Sequence, residues 1–143
     1  MSKWTEKFPR TEITGNITNE TVNFAKDFGG FLGVDFNDQR DTKLTTNQLR
    51  KFFGEVKRQQ MQGYTETDFV LLKPKLAYAV GRSKKKNAKI KDFYEVISVA
   101  IDEVLKGQSD KEKIDRFRNF IKIFEAIVAY HKAAEEGKIS ENN

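Results

Sequence analysis

The apolar residues of this chain recur at helical spacing almost from end to end, and that period constrains the fold class more than any other feature. The clearest stretch opens with Ser109-Asp110-Lys111-Glu112, a capping-box pattern that satisfies the free backbone donors of a helix start. Behind it Ile114, Phe117, Ile121, Phe124, Val128 and His131 fall on one helical row, and Phe120, Ile123, Ile127 and Tyr130 on a second, running toward Gly137. A helix with so wide an apolar face belongs at the centre of a bundle or is shared with a partner. Period-two alternation of β-branched residues is nearly absent, so the predicted fold class is all-α.

Four further helical stretches follow from the same spacing. Thr45 or Thr46 caps one that carries Leu49, Phe52, Phe53 and Val56 and runs to about Gln62. Ile90, Phe93, Tyr94, Ile97, Ile101, Val104 and Leu105 predict another, stopped by Gly107. Between these, Thr65-Glu66-Thr67-Asp68 opens a segment through Phe69, Leu72, Leu76, Ala79 and Val80 to Gly81. Pro74 either kinks that segment near Leu72 and Lys73 or splits it into two short helices, because proline lacks a backbone donor and clashes with the preceding turn. The earliest helix begins after Thr18 or Asn19 and carries Val22, Ala25 and Phe28 before Gly29-Gly30; an apolar patch of Phe31, Leu32, Val34 and Phe36 follows it. Phe8-Pro9 breaks any helix nearer the start, so residues 1–17 are expected to be an extended or disordered arm unless they pack on a neighbour, with Trp4 and Phe8 as anchors. The expected organisation is a single-domain bundle of about five helices over 18–137, with a frayed polar tail at 138–143. At 143 residues, with 38% hydrophobic residues and twelve Phe, there is material for one core.

Composition removes most catalytic chemistry. With no cysteine there is no disulfide framework, zinc-thiolate site or thiol nucleophile, and one histidine provides no metal cluster. His131 lies in phase with apolar neighbours and reads as a half-buried packing residue. Adjacent carboxylates such as Asp102/Glu103 and Glu135/Glu136 diverge by about 100° on a helix and cannot share a substrate. Gly29-Gly30-Phe31-Leu32-Gly33 has neither the spacing nor the Lys-Ser/Thr ending of a phosphate loop. No enzyme activity, cofactor or metal is expected. No apolar run reaches signal-peptide or membrane-span length, so the reading is a cytoplasmic protein with no membrane partner.

The net charge of +5 conceals a strong asymmetry. Residues 1–43 carry net −1, residues 44–91 carry net +9 from twelve basic and three acidic side chains, and residues 92–143 carry net −3. A basic block of that size attracts polyanions, of which nucleic acid is the commonest inside cells. Arg50 and Lys57 fall within about 20° of each other on one helix, flanking its apolar stripe, with Gly54 between them where a backbone or a phosphate can approach. Lys73, Lys75, Arg82 and the run Lys84, Lys85, Lys86 continue the block, the last in a solvated loop. Positive grooves with aromatic platforms hold single-stranded nucleic acid. Phe52, Phe53 and Tyr78 have core phase, which leaves Tyr64, in a turn, as the stacking candidate. A protein-protein adaptor with an acidic partner is the alternative, and a helix-turn-helix DNA reader is disfavoured by Pro74 in the would-be recognition helix.

Three segments, Leu44-Thr45-Thr46-Asn47-Gln48-Leu49-Arg50-Lys51-Phe52-Phe53, Leu72-Lys73-Pro74-Lys75-Leu76-Ala77-Tyr78-Ala79-Val80-Gly81-Arg82 and Phe124-Glu125-Ala126-Ile127-Val128-Ala129-Tyr130-His131-Lys132, resemble in order and spacing the small helical subunit of the Csm complex, the type III-A CRISPR effector of antiviral defence. The resemblance covers roughly Leu44 to Gly137. It implies a non-catalytic bundle that self-associates as an inner filament, beside other Csm subunits, and binds target RNA paired with the CRISPR RNA through its backbone. The RNA-binding positions it implies are Arg50, Lys57, Lys73, Lys75 and Arg82. Lys84 to Lys86 rest on charge alone. Filament contacts are expected from the wide apolar face of the last helix or from the Phe31 to Phe36 patch.

Overall fold

A computed structural model describes residues 2–137, and the described residues form helices without a strand, joined by short connections except for the longer loops 33–45 and 82–89. In chain order they are α1 (Lys3–Lys7), α2 (Thr11–Thr14), α3 (Asn19–Leu32), α4 (Thr46–Gln62), α5 (Glu66–Val70), α6 (Leu72–Gly81), α7 (Ile90–Leu105) and α8 (Asp110–Glu135). The caps form where the sequence places them. Thr45 and Gln48 exchange a full capping box at the start of α4, Thr65 Oγ1 accepts from the Asp68 amide, and Ser109 Oγ accepts from the Glu112 amide at 3.2 Å. The five long helices α3, α4, α6, α7 and α8 make the expected all-α bundle.

α8 is its centre. Phe117, Phe120, Ile121, Ile123, Phe124 and Ile127 are all buried, so both apolar rows face neighbouring helices of this same chain. α3 forms the most extensive helix pair with it. The close approach depends on glycine: a methyl group at Gly29 would lie 2.8 Å from the Ile127 carbonyl oxygen, and one at Gly33 would lie 2.6 Å from that of His131. Gly29-Gly30 therefore does not end α3, which runs on to Leu32, because packing against α8 outweighs the weak helix propensity of glycine.

One expectation for the start of the chain is corrected, and the choice between a kink and a split at Pro74 is decided. The 1–17 arm is not extended: residues 2–17 hold α1 and α2, helices too short to persist alone. Burial holds them, with the Trp4 ring 5.1 Å from Phe28 and 5.2 Å from Phe31, Phe8 edge-on to Phe24, and Ile13 inside the core. Trp4 and Phe8 do serve as anchors, but on the chain's own α3. Around Pro74 the chain splits, with Leu71 closing α5 and α6 starting at Leu72. Pro74 then sits in the first turn of α6, where its missing donor has no intrahelical partner to lose. The tail 138–143 lies outside the described residues.

Candidate nucleic-acid interface

α4 divides the basic block in two. Its buried side, Leu49, Phe52, Val56 and Gln59, faces the core, and the positions on either flank point to different neighbours. On the α8 flank lie Arg50 and Lys57. Phe53 packs on Phe124 of α8 at 5.4 Å, and Lys57 Nζ reaches Glu125 of α8 at 3.4 Å while lying 5.7 Å from the Phe53 ring centre. Gly54, exposed between Arg50 and Lys57, meets nothing within 4 Å, so it serves no helix crossing.

The other flank of α4 faces α6 across a groove of about 510 Å³. Its floor is apolar, built from Phe52, Leu72, Leu76 and Phe93, and its rim carries Lys51 and Glu55 from α4 with Lys75, Tyr78 and Arg82 from α6 and its C-cap. Glu55 is the only carboxylate among the lining residues. Hydrogen bonds from Arg58 and then Gln59, helped by Lys75 and opposed by burial, hold its carboxyl down at about 2. It is thus ionised at any physiological pH and pairs with both Arg58 and Lys75, whose ammonium is 3.3 Å away, so the three together keep one net positive charge. Lys51 and Arg82 have no carboxylate within 4.0 Å among the described residues.

The structure thus brings Lys75 and Arg82 together, and sets Arg50 and Lys57 on the opposite side of α4. Lys73 turns away from both, paired with Asp102 of α7. Lys84, Lys85 and Lys86 follow Arg82 in an exposed loop and, with Lys91, line a second, smaller depression beside Val80 and Gly81. Lys89, counted in the basic block, is buried instead: its Nζ donates to the carbonyls of Phe31 and Val34 at 2.7 and 2.6 Å and sits 4.1 and 4.5 Å from the Phe31 and Phe36 ring centres. It straps the end of α3 and its following loop to the start of α7.

The aromatic assignment reverses. Tyr64 is not free to stack, because it packs between Phe69 and Phe117 with ring centres 5.6 and 5.1 Å away. Burial, followed by the charges of Glu66 and Asp110, pushes its phenol up to about 12. Tyr78 is the exposed ring, at 67% accessibility, with the Arg82 guanidinium 5.7 Å from its centre. The split at Pro74 is the physical reason: a new helix starting at Leu72 turns Leu72 and Leu76 inward and leaves Tyr78 on the rim. Lys51 and Lys91 were missed by sequence reasoning. Helical phase puts Lys51 beside Phe52 on the flank away from Arg50, but the spacing does not say which flank meets α6.

His131 is fully buried, more so than expected, and its Nε2–H donates to the Leu44 carbonyl at 2.6 Å. Among the described residues no group of three or more His, Cys, Asp or Glu can hold a metal ion, and no helix is long and apolar enough to cross a membrane. The arrangement is suited to holding anions through unpaired cations around an apolar groove.

Comparison with curated proteins and with solved structures gives no match. The sequence does match the Csm2 Type III-A family over residues 18–137, a span that takes in α3 through α8. With the match covering most of the chain, this protein belongs to the Csm2 family and is a subunit of the type III-A Csm CRISPR effector complex.

Proposed function

We propose that this subunit binds target RNA paired with the CRISPR RNA through the phosphate backbone, without reading sequence, in a cytoplasmic antiviral complex, and that copies of it associate as an inner filament. The observation that carries the reading is the state of the cations around α6. Lys51, Arg82, Lys84, Lys85 and Lys86 have no carboxylate within 4.0 Å among the described residues, whereas Lys57, Lys73 and Lys75 are each paired. A cation already neutralised inside the protein has less to gain from a phosphate than one that is not. Base pairing with the guide supplies specificity, so contacts that only follow the backbone suffice. The Csm2 family is a structural small-subunit family, generally non-catalytic.

Of the two apolar sources expected for self-association, the larger part of each packs within this chain. The α8 rows are buried from Phe117 to Ile127 and half-buried at Ile114, Val128 and Tyr130, and the half-buried Phe31 and Phe36 pack on Trp4, on each other and around Lys89. Among the described residues the exposed large apolar side chains are Val22, Met61, Val70, Leu71 and Tyr78, of which Leu71 and Tyr78 line one shallow depression.

Titration of a fluorescent single-stranded RNA of random sequence at several salt concentrations, with duplex DNA as competitor, tests the RNA reading. About five phosphate contacts give a log–log salt slope of about −3 to −4 at ~0.7 per contact. Replacing Lys51 and Arg82 together by Ala should reduce the slope by about 1.4, while Arg50→Ala with Lys57→Ala should change it less, because Glu125 already holds Lys57. An unchanged slope in the Lys51/Arg82 variant refutes the assignment of these residues.

A further inference from the structure

Backbone contacts use only charge, yet the groove between α4 and α6 is more than a charged surface. Its floor of Phe52, Leu72, Leu76 and Phe93 offers nothing to a phosphate. Its volume, about 510 Å³, lies within the range of about 300–1,000 Å³ typical of sites that enclose small ligands. On its rim stand an exposed aromatic ring, Tyr78, with a guanidinium, Arg82, beside it, and the unpaired ammonium of Lys51 across from them. On its other side Tyr78 borders a shallow apolar depression formed with Leu71 and Pro74, so the ring projects between two concavities.

A ligand that complements all of these at once has a flat apolar body and an anionic group close to it. We infer that the groove takes one base of the bound RNA strand that is not paired with the CRISPR RNA, stacked against Tyr78, with the adjoining phosphate between Lys51 and Arg82. The inference rests on the RNA-binding reading above and adds base contact to it. Charge complementarity selects this occupant over a neutral apolar segment, which would leave Lys51 and Arg82 unanswered at the rim. The flat ring and guanidinium select it over a simple anion, since bases stack on aromatic side chains and on arginine planes. Gln48 also lines the groove and adds an amide at its edge, while the Glu55 carboxylate is already taken by Arg58, Gln59 and Lys75. Stacking of this kind tolerates any base, which suits a subunit that leaves sequence to the guide.

The test compares two RNAs of equal charge, a twelve-nucleotide oligouridine and the same backbone with every base removed, by fluorescence anisotropy at one salt concentration, with wild type, Tyr78→Ala and Tyr78→Phe. Tyr78 is two-thirds exposed, so neither substitution disturbs the core. The expected result is oligouridine binding about 5-fold or more tighter than the abasic strand, the advantage lost in Tyr78→Ala and kept in Tyr78→Phe. Equal binding of the two strands overturns the base site and leaves the backbone reading in place. An oligouridine advantage that survives in Tyr78→Ala also overturns it, since the base is then held elsewhere. Failure of both strands and of duplex RNA to bind at low salt overturns the backbone reading and the base site with it.

Discussion

Gly29 and Gly54 are both helix-interior glycines, and what a methyl group would meet at each is opposite. At Gly29 it would come within 2.8 Å of the Ile127 carbonyl oxygen and 2.9 Å of the His131 amide nitrogen, backbone atoms that cannot move without separating α3 from α8. At Gly54 it would meet nothing within 4 Å. Gly29→Ala should therefore destabilise the fold by about 1–3 kcal/mol, as overpacking does. Gly54→Ala should stabilise it by about 0.5–1 kcal/mol through helix propensity alone. Urea denaturation of the two variants checks the pair; equal shifts would contradict the α3–α8 contact. His131 and Lys89 illustrate the same dependence on surroundings. Each is a polar residue buried in the fold, and each satisfies carbonyls that a helix end or loop leaves open, Leu44 for one and Phe31 with Val34 for the other.

At the scale of elements, α8 is the helix on which the others depend. Phe124, 1% exposed, is the point where rings from several helices converge: Phe52 stacks on it at 5.2 Å, Phe93 meets it edge-on at 5.6 Å, and Phe53 and Phe120 complete its surround. Phe124→Ala should cost about 3–5 kcal/mol, because the flanking helices cannot all collapse into one cavity. A thermal midpoint near wild type would exclude this packing. The split between α5 and α6 has the reverse character, a break that fixes direction. By ending one helix at Val70 and starting the next at Leu72, it aims Lys75, Tyr78 and Arg82 at the groove and Lys73 at Asp102.

Across the whole molecule, acid should act mainly through carboxylates that the fold holds ionised. Burial raises the Glu12 pKa, but hydrogen bonds from the Thr18 and Thr21 amides and hydroxyls outweigh it, and its carboxyl ends up lowered while it caps the start of α3. Glu55 is lowered to about 2. A folded-state pKa below that of the unfolded chain gives stability that is complete above the unfolded value, about 4.3 for glutamate, and is lost as pH falls toward the folded value. The contribution of these two should accordingly be flat above about pH 5 and fall steadily from there toward pH 2, while Asp92, whose carboxyl pKa burial raises, works in the opposite sense. Glu12→Gln and Glu55→Gln, compared with wild type by urea denaturation across that window, should each flatten the decline. An unchanged pH dependence in both would show that neither carboxylate is held as described.

Local spacing was sufficient for the helices themselves. Thr45 with Gln48, Ser109 with Glu112 and the apolar rows of α4, α7 and α8 specify starts, lengths and buried faces through contacts no more than four residues apart, which is why they were legible in the sequence. The charge block was legible for the same reason, since it needs only counting. Which cations remain free was not, because Glu125, Asp102 and Glu55 reach Lys57, Lys73 and Lys75 from other helices. Nor was the exchange of roles between Tyr64 and Tyr78, which depends on where Phe117 of α8 lies and how the chain turns at Leu71. The sequence alone determined an all-α chain with one strongly basic region. Only the tertiary structure decided which of its side chains are paired, buried or left facing solvent, because those outcomes depend on distances between helices that no local period contains.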